Sequence, residues 1–258
     1  MLVAASKVTE IIARVKRGES VRKVASSLSI PLSTAYYHAR DCCEKQSFMD
    51  IEKLAPKERG YLVGMIVGDG SLIRHRCRGE FLTKIALDRL RDQDIFQFVS
   101  SLFEKCGKKV NVRVERGMVV LRIWSRAFYA SVLEHLRVDK ESSLHHHTKL
   151  LLDIKRWDRD FTIGFIGGLI DSDGHIERCE RGGHYGATIT TSSPSLRDQV
   201  QELCKAHRIG VSWRSDRRGS PRVRPRYIVH ICSNDLKSVC SEILCVKHLR
   251  YHGGPGRI

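Results

Sequence analysis

The sequence lacks three features that would place it in large classes of protein. No apolar run approaches the roughly 20 residues that a membrane-spanning helix needs. The amino-terminal stretch MLVAASKVTEII has no basic start followed by an apolar signal core. No pair of CxxC units occurs among the nine cysteines, which argues against a structural zinc site. We therefore expect an intracellular protein of the cytoplasm, nucleoid or organelle matrix, with reduced thiols and no membrane partner.

Acidic residues are scarce relative to basic ones. The 258 residues include 45 Lys and Arg but 29 Asp and Glu, which gives a formal net charge of +16. A protein this basic usually binds a polyanion, and nucleic acid is the commonest one. A generally solvated basic surface is the alternative. With 41% hydrophobic residues, the chain can form one large or two modest cores.

Residues 1–46 have the pattern of three short helices. VTEIIARVKRG is amphipathic, ESVRKVASSLSI repeats apolar residues at helical spacing, and PLSTAYYHARD begins with a proline suited to a first turn. The spacing resembles a helix-turn-helix of the resolvase or sigma-factor kind. Its last helix would present to DNA Ser33, Thr34, Tyr36, Tyr37, His38 and Arg40. A three-helix cap or protein-docking module is the alternative.

The rest of the chain repeats itself, with one half at 47–153 and the other at 154–258. RGYLVGMIVGDGSLI at 59–73 returns as IGFIGGLIDSDGHI at 163–176, so Asp69 and Asp173 lie 104 residues apart. Each copy is followed by two extended runs, a helix, two more extended runs and a further helix. The pattern predicts an α+β fold of two similar α-β-β-α-β-β-α halves with antiparallel strands.

Small residues recur every four positions in both copies and therefore line one face of each helix. The two columns are Gly60, Gly64 and Gly68, and Gly164, Gly168 and Ser172. Such columns can pack backbone against backbone, which would bring Asp69 and Asp173 together at the helix ends. Like charges at the negative ends of two helix dipoles require a cation, and oxygen ligands suit Mg²⁺. An ordinary helix-ending turn is the alternative for each aspartate.

The segment IGGLIDSDG at 166–174 resembles the nine-residue motif of the LAGLIDADG homing endonucleases, and LVGMIVGDG at 62–70 resembles a diverged copy. The resemblance covers residues 60–258 and indicates a single-chain, two-motif member. It implies two pseudo-symmetric halves whose antiparallel strands form a saddle along the DNA major groove. It also implies that acids at the two motif ends cleave both strands across the minor groove.

The resemblance assigns the acids to Asp69 and Asp173. It makes them ligands of two or more Mg²⁺ ions, with Mn²⁺ as a substitute, and Gly68 and Ser172 adjoin them at the metal sites. The sixth motif position is Val67 in one copy and Asp171 in the other, which indicates asymmetric halves. Asp171 is either a helix-surface or capping residue or a helper of the metal site.

Members of this family often place a lysine near each metal site. Lys140 and Lys247 lie 71 and 74 residues after Asp69 and Asp173, respectively, which fits equivalent positions in the two halves. There an ammonium group could polarise water or offset charge on the phosphate. A solvent-facing loop lysine is the alternative for each.

Base contacts are expected from alternate residues of the strands. The candidates are Arg74, Arg76, Lys84, Arg113 and Arg122 in the first half, and Arg178, Thr188, Thr190, Arg214 and Arg226 in the second. The stretch 205–230 carries eight Lys or Arg and one Asp. We expect its hairpin to lie along phosphates through residues that include Arg217, Arg218, Arg222 and Arg224. A solvated loop is the alternative.

These observations predict a monomeric, Mg²⁺-dependent, site-specific double-strand DNA endonuclease with a long nonpalindromic target. Two other functions would use the same surface. One is a non-cleaving DNA-binding regulator, similar to transcription factors that join a degenerate LAGLIDADG domain to a helix-turn-helix. The other is a maturase that binds intron RNA. A regulator would need no metal-binding acids, whereas Asp69 and Asp173 are both present. Comparing salt-dependent binding to DNA and to intron RNA would separate nuclease from maturase.

Overall fold

The computed structural model describes residues 4–46, 49–75, 80–108, 110–137, 151–152, 154–178, 185–216, 226–231 and 246–247. The chain divides into two compact units, Met1–Phe48 and Met49–Ile258. Within the described ranges, no helix combines the length and apolarity that crossing a membrane requires.

The first unit contains the three predicted helices, α1 (Ala5–Lys16), α2 (Val21–Ser27) and α3 (Leu32–Gln46). Ser20 begins α2, where its hydroxyl accepts a hydrogen bond from the Lys23 amide at 3.3 Å. One face of each helix is apolar, and these faces enclose a small core of Ile11, Val15, Val21, Val24, Ala25, Ala35 and Ala39. The helix-turn-helix assignment of this unit stays a prediction.

The second unit contains two halves whose described elements follow the same order, from the first helix to the fourth strand of the sheet. The first has α4 (Pro56–Asp69), β1 (Gly70–His75), β2 (Glu80–Asp88), α5 (Gln93–Lys105), β3 (Asn111–Glu115), β4 (Met118–Trp124) and α6 (Arg126–His135). Two short strands, β5 (Leu136–Arg137) and β6 (Leu151–Leu152), pair before a 3₁₀ turn at Ile154–Arg156. The second half has α7 (Arg159–Asp173), β7 (Gly174–Arg178), β8 (Tyr185–Thr191), α8 (Pro194–Ala206), β9 (Val211–Asp216) and β10 (Arg226–Ile231). The final helix predicted at 234–244 lies outside the described residues.

Each half forms a four-stranded antiparallel sheet, with strand order β1-β2-β4-β3 in one and β7-β8-β10-β9 in the other. The orders correspond strand for strand, so the predicted α+β fold with a repeated half is confirmed. Alternate strand residues such as Ile85, Leu121, Ile189 and Val229 pack against the helices in one continuous core. The opposite side of each sheet, called its open face below, carries the residues between them.

Helices α4 and α7 lie at the centre of this core. Residues 60–67 of α4 and 161–171 of α7 are all buried, which explains why both motif copies are apolar around the whole helix. Each helix begins at a defined cap. Pro56 occupies the first turn of α4, and the Asp158 carboxylate accepts a hydrogen bond from the Phe161 amide at 2.7 Å at the start of α7.

Candidate active site

The two glycine columns bring the backbones of α4 and α7 into contact. A Cβ atom added to Gly60 would lie 2.0 Å from the carbonyl oxygen of Phe161, and one added to Gly164 would lie 1.8 Å from that of Lys57. Both distances are shorter than any real Cβ contact, so no side chain fits at either position. The predicted packing of one column on the other is therefore present, and it runs the length of both helices.

The columns end where the two motif aspartates lie. A Cβ atom on Gly68 would meet the Ser172 hydroxyl at 2.0 Å and would lie 3.4 Å from the Oδ2 atom of Asp173. Asp69 and Asp173 are the last residues of α4 and α7. The helices converge here, so the structure brings together the two carboxylates that the sequence separates by 104 residues.

A glycine follows each aspartate and leads directly into a strand. Gly70 begins β1 with an extended backbone, and an added Cβ would lie 2.4 Å from the Cα of Ile66. Gly174 begins β7, where an added Cβ would lie 2.5 Å from the Cα of Ile170. The chain thus leaves each helix without a loop. This tight exit fixes both aspartates between the end of a helix and the start of a sheet.

The Asp69 carboxyl lies in an environment that disfavours its charge. Its pKa is raised to about 7, chiefly by burial and next by the negative charge of Asp173. The Lys247 ammonium opposes this rise, and Asp92 adds to it. The negative end of the α4 dipole also disfavours an anion here. A divalent cation held by these carboxylates would favour their charged forms.

The two carboxylates fit a metal ion whose remaining ligands come from water and from the substrate. Mg²⁺ is commonly held by one or two carboxylates together with water and substrate phosphates, rather than by an all-protein cage. Within the part of the chain that the structure describes, no group of three or more His, Cys, Asp or Glu forms a metal cage. The Ser172 hydroxyl donates to the carbonyl oxygen of Gly168 at 2.9 Å, so it is engaged within α7. Asp69 and Asp173 are thus the side chains best placed to hold such an ion.

Lys247 lies against the carboxyl-terminal end of α7. Its Nζ atom donates to the carbonyl oxygens of Ile170 at 3.2 Å, Ser172 at 3.5 Å and Gly174 at 3.1 Å. A cation at this end of a helix interacts favourably with its dipole. The structure therefore places Lys247 close to the aspartate pair, where its charge lowers the pKa of Asp69; its part in the reaction stays a prediction. Lys140 lies outside the described residues.

Asp171 is buried, with 1% of its surface exposed, and it accepts three hydrogen bonds from other elements. The Tyr61 hydroxyl donates to its Oδ2 atom at 2.7 Å, the Val246 amide to the same atom at 2.7 Å, and the Lys247 amide to Oδ1 at 2.9 Å. Asp171 is thus not a helix-surface residue. Sequence analysis did not identify Tyr61, and the signal for this pair is a charged residue within an otherwise apolar run.

A cavity of about 520 Å³ opens beside Lys247. It joins the turn after β2 to the start of β7, so both halves contribute to its wall. The lining residues are Asp88, Arg91, Asp92, Gly174, His175, Ile176 and Lys247. Both acids are held within the turn: Asp88 accepts the amides of Leu90 and Arg91 at 2.9 Å, and Asp92 accepts the amide of Asp88 at 3.0 Å.

The register places three of the five first-half candidates on the open face. Lys84 pairs with Arg122, and Arg113 pairs with Val120, on the side away from Ile85 and Leu121. Arg74 belongs to the other side, because it alternates with buried Leu72, and its guanidinium lies 5.5 Å from the Phe81 ring. Arg76 lies outside the described residues.

The second sheet has a corresponding arrangement. Thr190 pairs with Ile228, which pairs with Arg214, on the open face. Thr188 pairs with His230 on the same side, but it is buried, and its hydroxyl donates to the carbonyl oxygen of His175 at 3.3 Å, so it is not placed to contact a base. Arg226, two residues before Ile228 in β10, belongs to the same face. Arg178 occupies the register position equivalent to Arg74, two residues after buried Ile176. The hairpin candidates Arg217, Arg218, Arg222 and Arg224 lie outside the described residues.

In the first unit, α3 has an apolar face and a polar face. Ala35 and Ala39 are fully buried, whereas Tyr36 and Tyr37 are 52% and 69% exposed. The Arg40 guanidinium lies 6.0 Å from the Tyr37 ring. Ser33 is exposed and Thr34 half-buried beside them. The candidate DNA-contacting residues of α3 therefore share the side of the helix that faces away from the core.

Comparison with known proteins identifies the fold of the second unit. Residues 160–244 match the family model described as a LAGLIDADG-like domain. No curated protein sequence matches the chain. Among solved structures, a variant of I-DmoI in complex with its nicked target DNA and Mn is 17% identical, with a TM-score of 0.52, and the match covers 72% of this chain and 96% of that one.

Two further structures give comparable matches. I-DmoI in complex with DNA and Mn is 18% identical, with a TM-score of 0.50 over 73% of this chain and 97% of that one. The homing endonuclease I-WcaI bound to its DNA recognition sequence is 12% identical, with a TM-score of 0.52 over 77% of this chain and 86% of that one. At these identities the structural likeness establishes the fold. The chain thus has the two-domain LAGLIDADG fold, and its second half matches the LAGLIDADG-like domain family.

Proposed function

We propose that the chain is a site-specific endonuclease that hydrolyses one phosphodiester bond in each strand of double-stranded DNA. In this proposal Asp69 and Asp173 hold the divalent metal ions, with Mg²⁺ as the natural ion. The observation that carries it is the convergence of these two carboxylates at the ends of α4 and α7, with the pKa of Asp69 raised to about 7. A carboxyl group whose charged form is disfavoured by burial and by a neighbouring acid is typical of a functional site.

The metal ions, when bound, would supply Lewis acidity and lower the pKa of a coordinated water. The residues of the chain would do the rest. Asp69 would lose its proton when the site is occupied, and Asp173 would supply the second carboxylate. Lys247 would bring positive charge to the site and offset the charge that builds on the scissile phosphate. In the reaction a water oxygen bonds to phosphorus and gives up a proton, the bond to the leaving sugar oxygen breaks, and that sugar oxygen takes up a proton.

The two open faces would bind the duplex. Lys84 and Arg113 on one sheet and Arg214 and Arg226 on the other give each face cations for phosphates and donors for base edges. The Arg122 guanidinium is ion-paired with Glu115 on the first of these faces. The similar structures of I-DmoI and I-WcaI are complexes with DNA, which supports duplex DNA as the partner. The halves differ in sequence within one chain, so the proposal includes a long nonpalindromic target and a monomeric enzyme.

Cleavage of a plasmid library with a randomised site tests this function directly. The intact chain, Asp69→Asn and Asp173→Asn would be incubated with Mg²⁺, and the cut ends sequenced. We expect the intact chain to cut one long site, and each variant to lose cutting or to nick one strand. Asp160→Asn is the matched control, since it removes an exposed acid from the first turn of α7, at its other end. It should cut as the intact chain does.

Binding measurements on the same proteins, with the duplex and with intron RNA, separate the alternatives. If no protein cuts but all bind one duplex specifically, the nuclease proposal fails and a DNA-binding regulator accounts better for the chain. The three-helix first unit, with its exposed Tyr36 and Tyr37, would suit such a regulator. Tighter binding to intron RNA than to the duplex at matched salt would favour the maturase.

A further inference from the structure

The two halves differ at one buried pair of positions beside the active site. Asp171 and Tyr61 form a hydrogen bond of 2.7 Å between α7 and α4. Their counterparts in the repeat, 104 residues away in each direction, are Val67 and Phe165. Both counterparts are buried, and neither has a side-chain group that can form a hydrogen bond. One half thus has a polar link where the other has apolar side chains.

The polar link holds the backbone that carries Lys247. The Asp171 carboxylate accepts the amides of both Val246 and Lys247, and Val246 is buried in the core. With its backbone fixed in this way, Lys247 places its ammonium on the carbonyl oxygens of Ile170, Ser172 and Gly174. Burying a carboxylate costs free energy unless hydrogen-bond donors compensate for the lost water. The Tyr61 hydroxyl and the two amides do so for Asp171.

The Tyr61 hydroxyl belongs to the same network from the opposite helix. Its ring packs edge-to-face on Phe98 of α5, with ring centroids 5.1 Å apart, so the hydroxyl is held in one direction. It donates to the Oδ2 atom that also accepts the Val246 amide. The first half of the chain, through Tyr61, therefore contributes to the position of a lysine from the second half.

We propose that Asp171 and Tyr61 are positioning residues for Lys247 and that this link makes the two cleavage events unequal. Val67 cannot accept a hydrogen bond, so the equivalent position in the first half provides no such anchor. The strand whose hydrolysis depends on Lys247 is then cut first, because its lysine is in place before DNA binds. This inference rests on the proposed nuclease function.

Strand-specific kinetics test the inference. A linear duplex with one target, labelled differently on each strand, would be cut by the intact chain and by Lys247→Met, Asp171→Asn and Tyr61→Phe. We expect Lys247→Met to slow one strand selectively. Asp171→Asn should slow that same strand about tenfold relative to the other, in line with the loss of hydrogen bonds to a charged group, and Tyr61→Phe should slow it by a smaller factor.

Thr162→Val is the matched control. Thr162 is a fully buried polar residue of the same helix, and its hydroxyl bonds to the His207 ring at 3.1 Å, away from Lys247. A loss of stability alone should slow both strands equally, as expected for Thr162→Val. The positioning role is overturned if Asp171→Asn and Tyr61→Phe also slow both strands equally, or slow the strand that Lys247→Met leaves unchanged.

Hydrogen exchange gives a second readout that needs no cleavage. Asp171→Asn should speed exchange of the Val246 and Lys247 amides well beyond the change in Thr162→Val, because it replaces their acceptor. Equal exchange in both variants would overturn the positioning role. If the intact chain cuts no DNA, the nuclease proposal and the cutting order both fail, and the exchange result alone decides whether Asp171 anchors Lys247.

Discussion

Gly64 of α4 and Gly168 of α7 lie where the two central helices touch: a Cβ atom on either residue would lie 3.1 Å from the Cα atom of the other. Each such atom would also lie 2.2 Å from a carbonyl oxygen, that of Phe165 or Tyr61. These contacts are with backbone, which cannot rotate away as a side chain can. The separation of the helices, and with it the distance between Asp69 and Asp173, therefore depends on both glycines.

Gly168→Val should destabilise the protein strongly, because the added side chain must push α4 away from α7. Overpacking typically costs about 1–3 kcal/mol, and a clash with backbone places this change at the upper end, about 3 kcal/mol. At roughly 2–4 °C per kcal/mol for a unit of this size, Tm should fall by about 6–12 °C in a calorimetric scan. Gly186→Ala is the control, since nothing lies within 4 Å of its added Cβ. Equal losses in both variants would contradict the close packing.

The raised pKa of Asp69 predicts a stability change that depends on pH in the metal-free, DNA-free protein. Its pKa is about 7 in the folded chain and about 3.9 in an unfolded one. Between these values the folded state binds more protons, so this group destabilises the fold increasingly as pH rises. Asp69→Asn should therefore leave Tm unchanged near pH 4 and raise it by a few degrees at pH 8.

Mg²⁺ provides the complementary measurement. Metal binding must displace the Asp69 proton below pH 7, so added Mg²⁺ should raise the Tm of the intact chain more at pH 8 than at pH 6. It should have little effect on Asp69→Asn at either pH. A stabilisation of Asp69→Asn equal to that of the intact chain would place the ion elsewhere, and Asp160→Asn should respond as the intact chain does.

The repeated fold could be predicted from the sequence because it depends on the spacing of apolar and small residues within short segments. Helical and extended periodicities predicted the order of the described elements in both halves, and the four-residue spacing of Gly60, Gly64 and Gly68 predicted the helix face that packs. The Asp171 network could not be predicted in the same way. Tyr61 and Asp171 are 110 residues apart, and only the packed helices bring them together.

The faces of the strands show a second limit of sequence reasoning. Arginines at strand ends extend past the core, so their charge does not reveal which side of the sheet they occupy. Arg74 follows buried Leu72 by two residues and lies on the helix side, while Lys84 and Arg122 are neighbours on the open face. Strand pairing and burial together show on which side of the sheet a residue lies, and residue type alone does not.

The open face of the first sheet should contribute to DNA affinity through its cations. Arg113 is exposed on this face. Arg113→Ala should weaken binding to the target duplex and lower the slope of log K against log salt by about 0.9, as expected for one lost phosphate contact. Fluorescence anisotropy over a range of salt concentrations measures both. Arg74→Ala removes the same charge on the helix side and should leave the slope unchanged. Equal slope changes in both variants would contradict the assignment of the faces.

The exposed side of α3 should add contacts to DNA flanking the segment bound by the second unit. Tyr37 is 69% exposed, so Tyr37→Ala should leave Tm nearly unchanged. If α3 contacts DNA, Tyr37→Ala and Arg40→Ala should each weaken binding several-fold on a long duplex and have no effect on a duplex trimmed to the cleavage site and its immediate flanks. Thr9→Ala, on the exposed side of α1, is the control and should bind both duplexes normally. Equal affinity of all four proteins for the long duplex would mean that α3 makes no DNA contact, and would favour a protein-docking role for the three-helix unit.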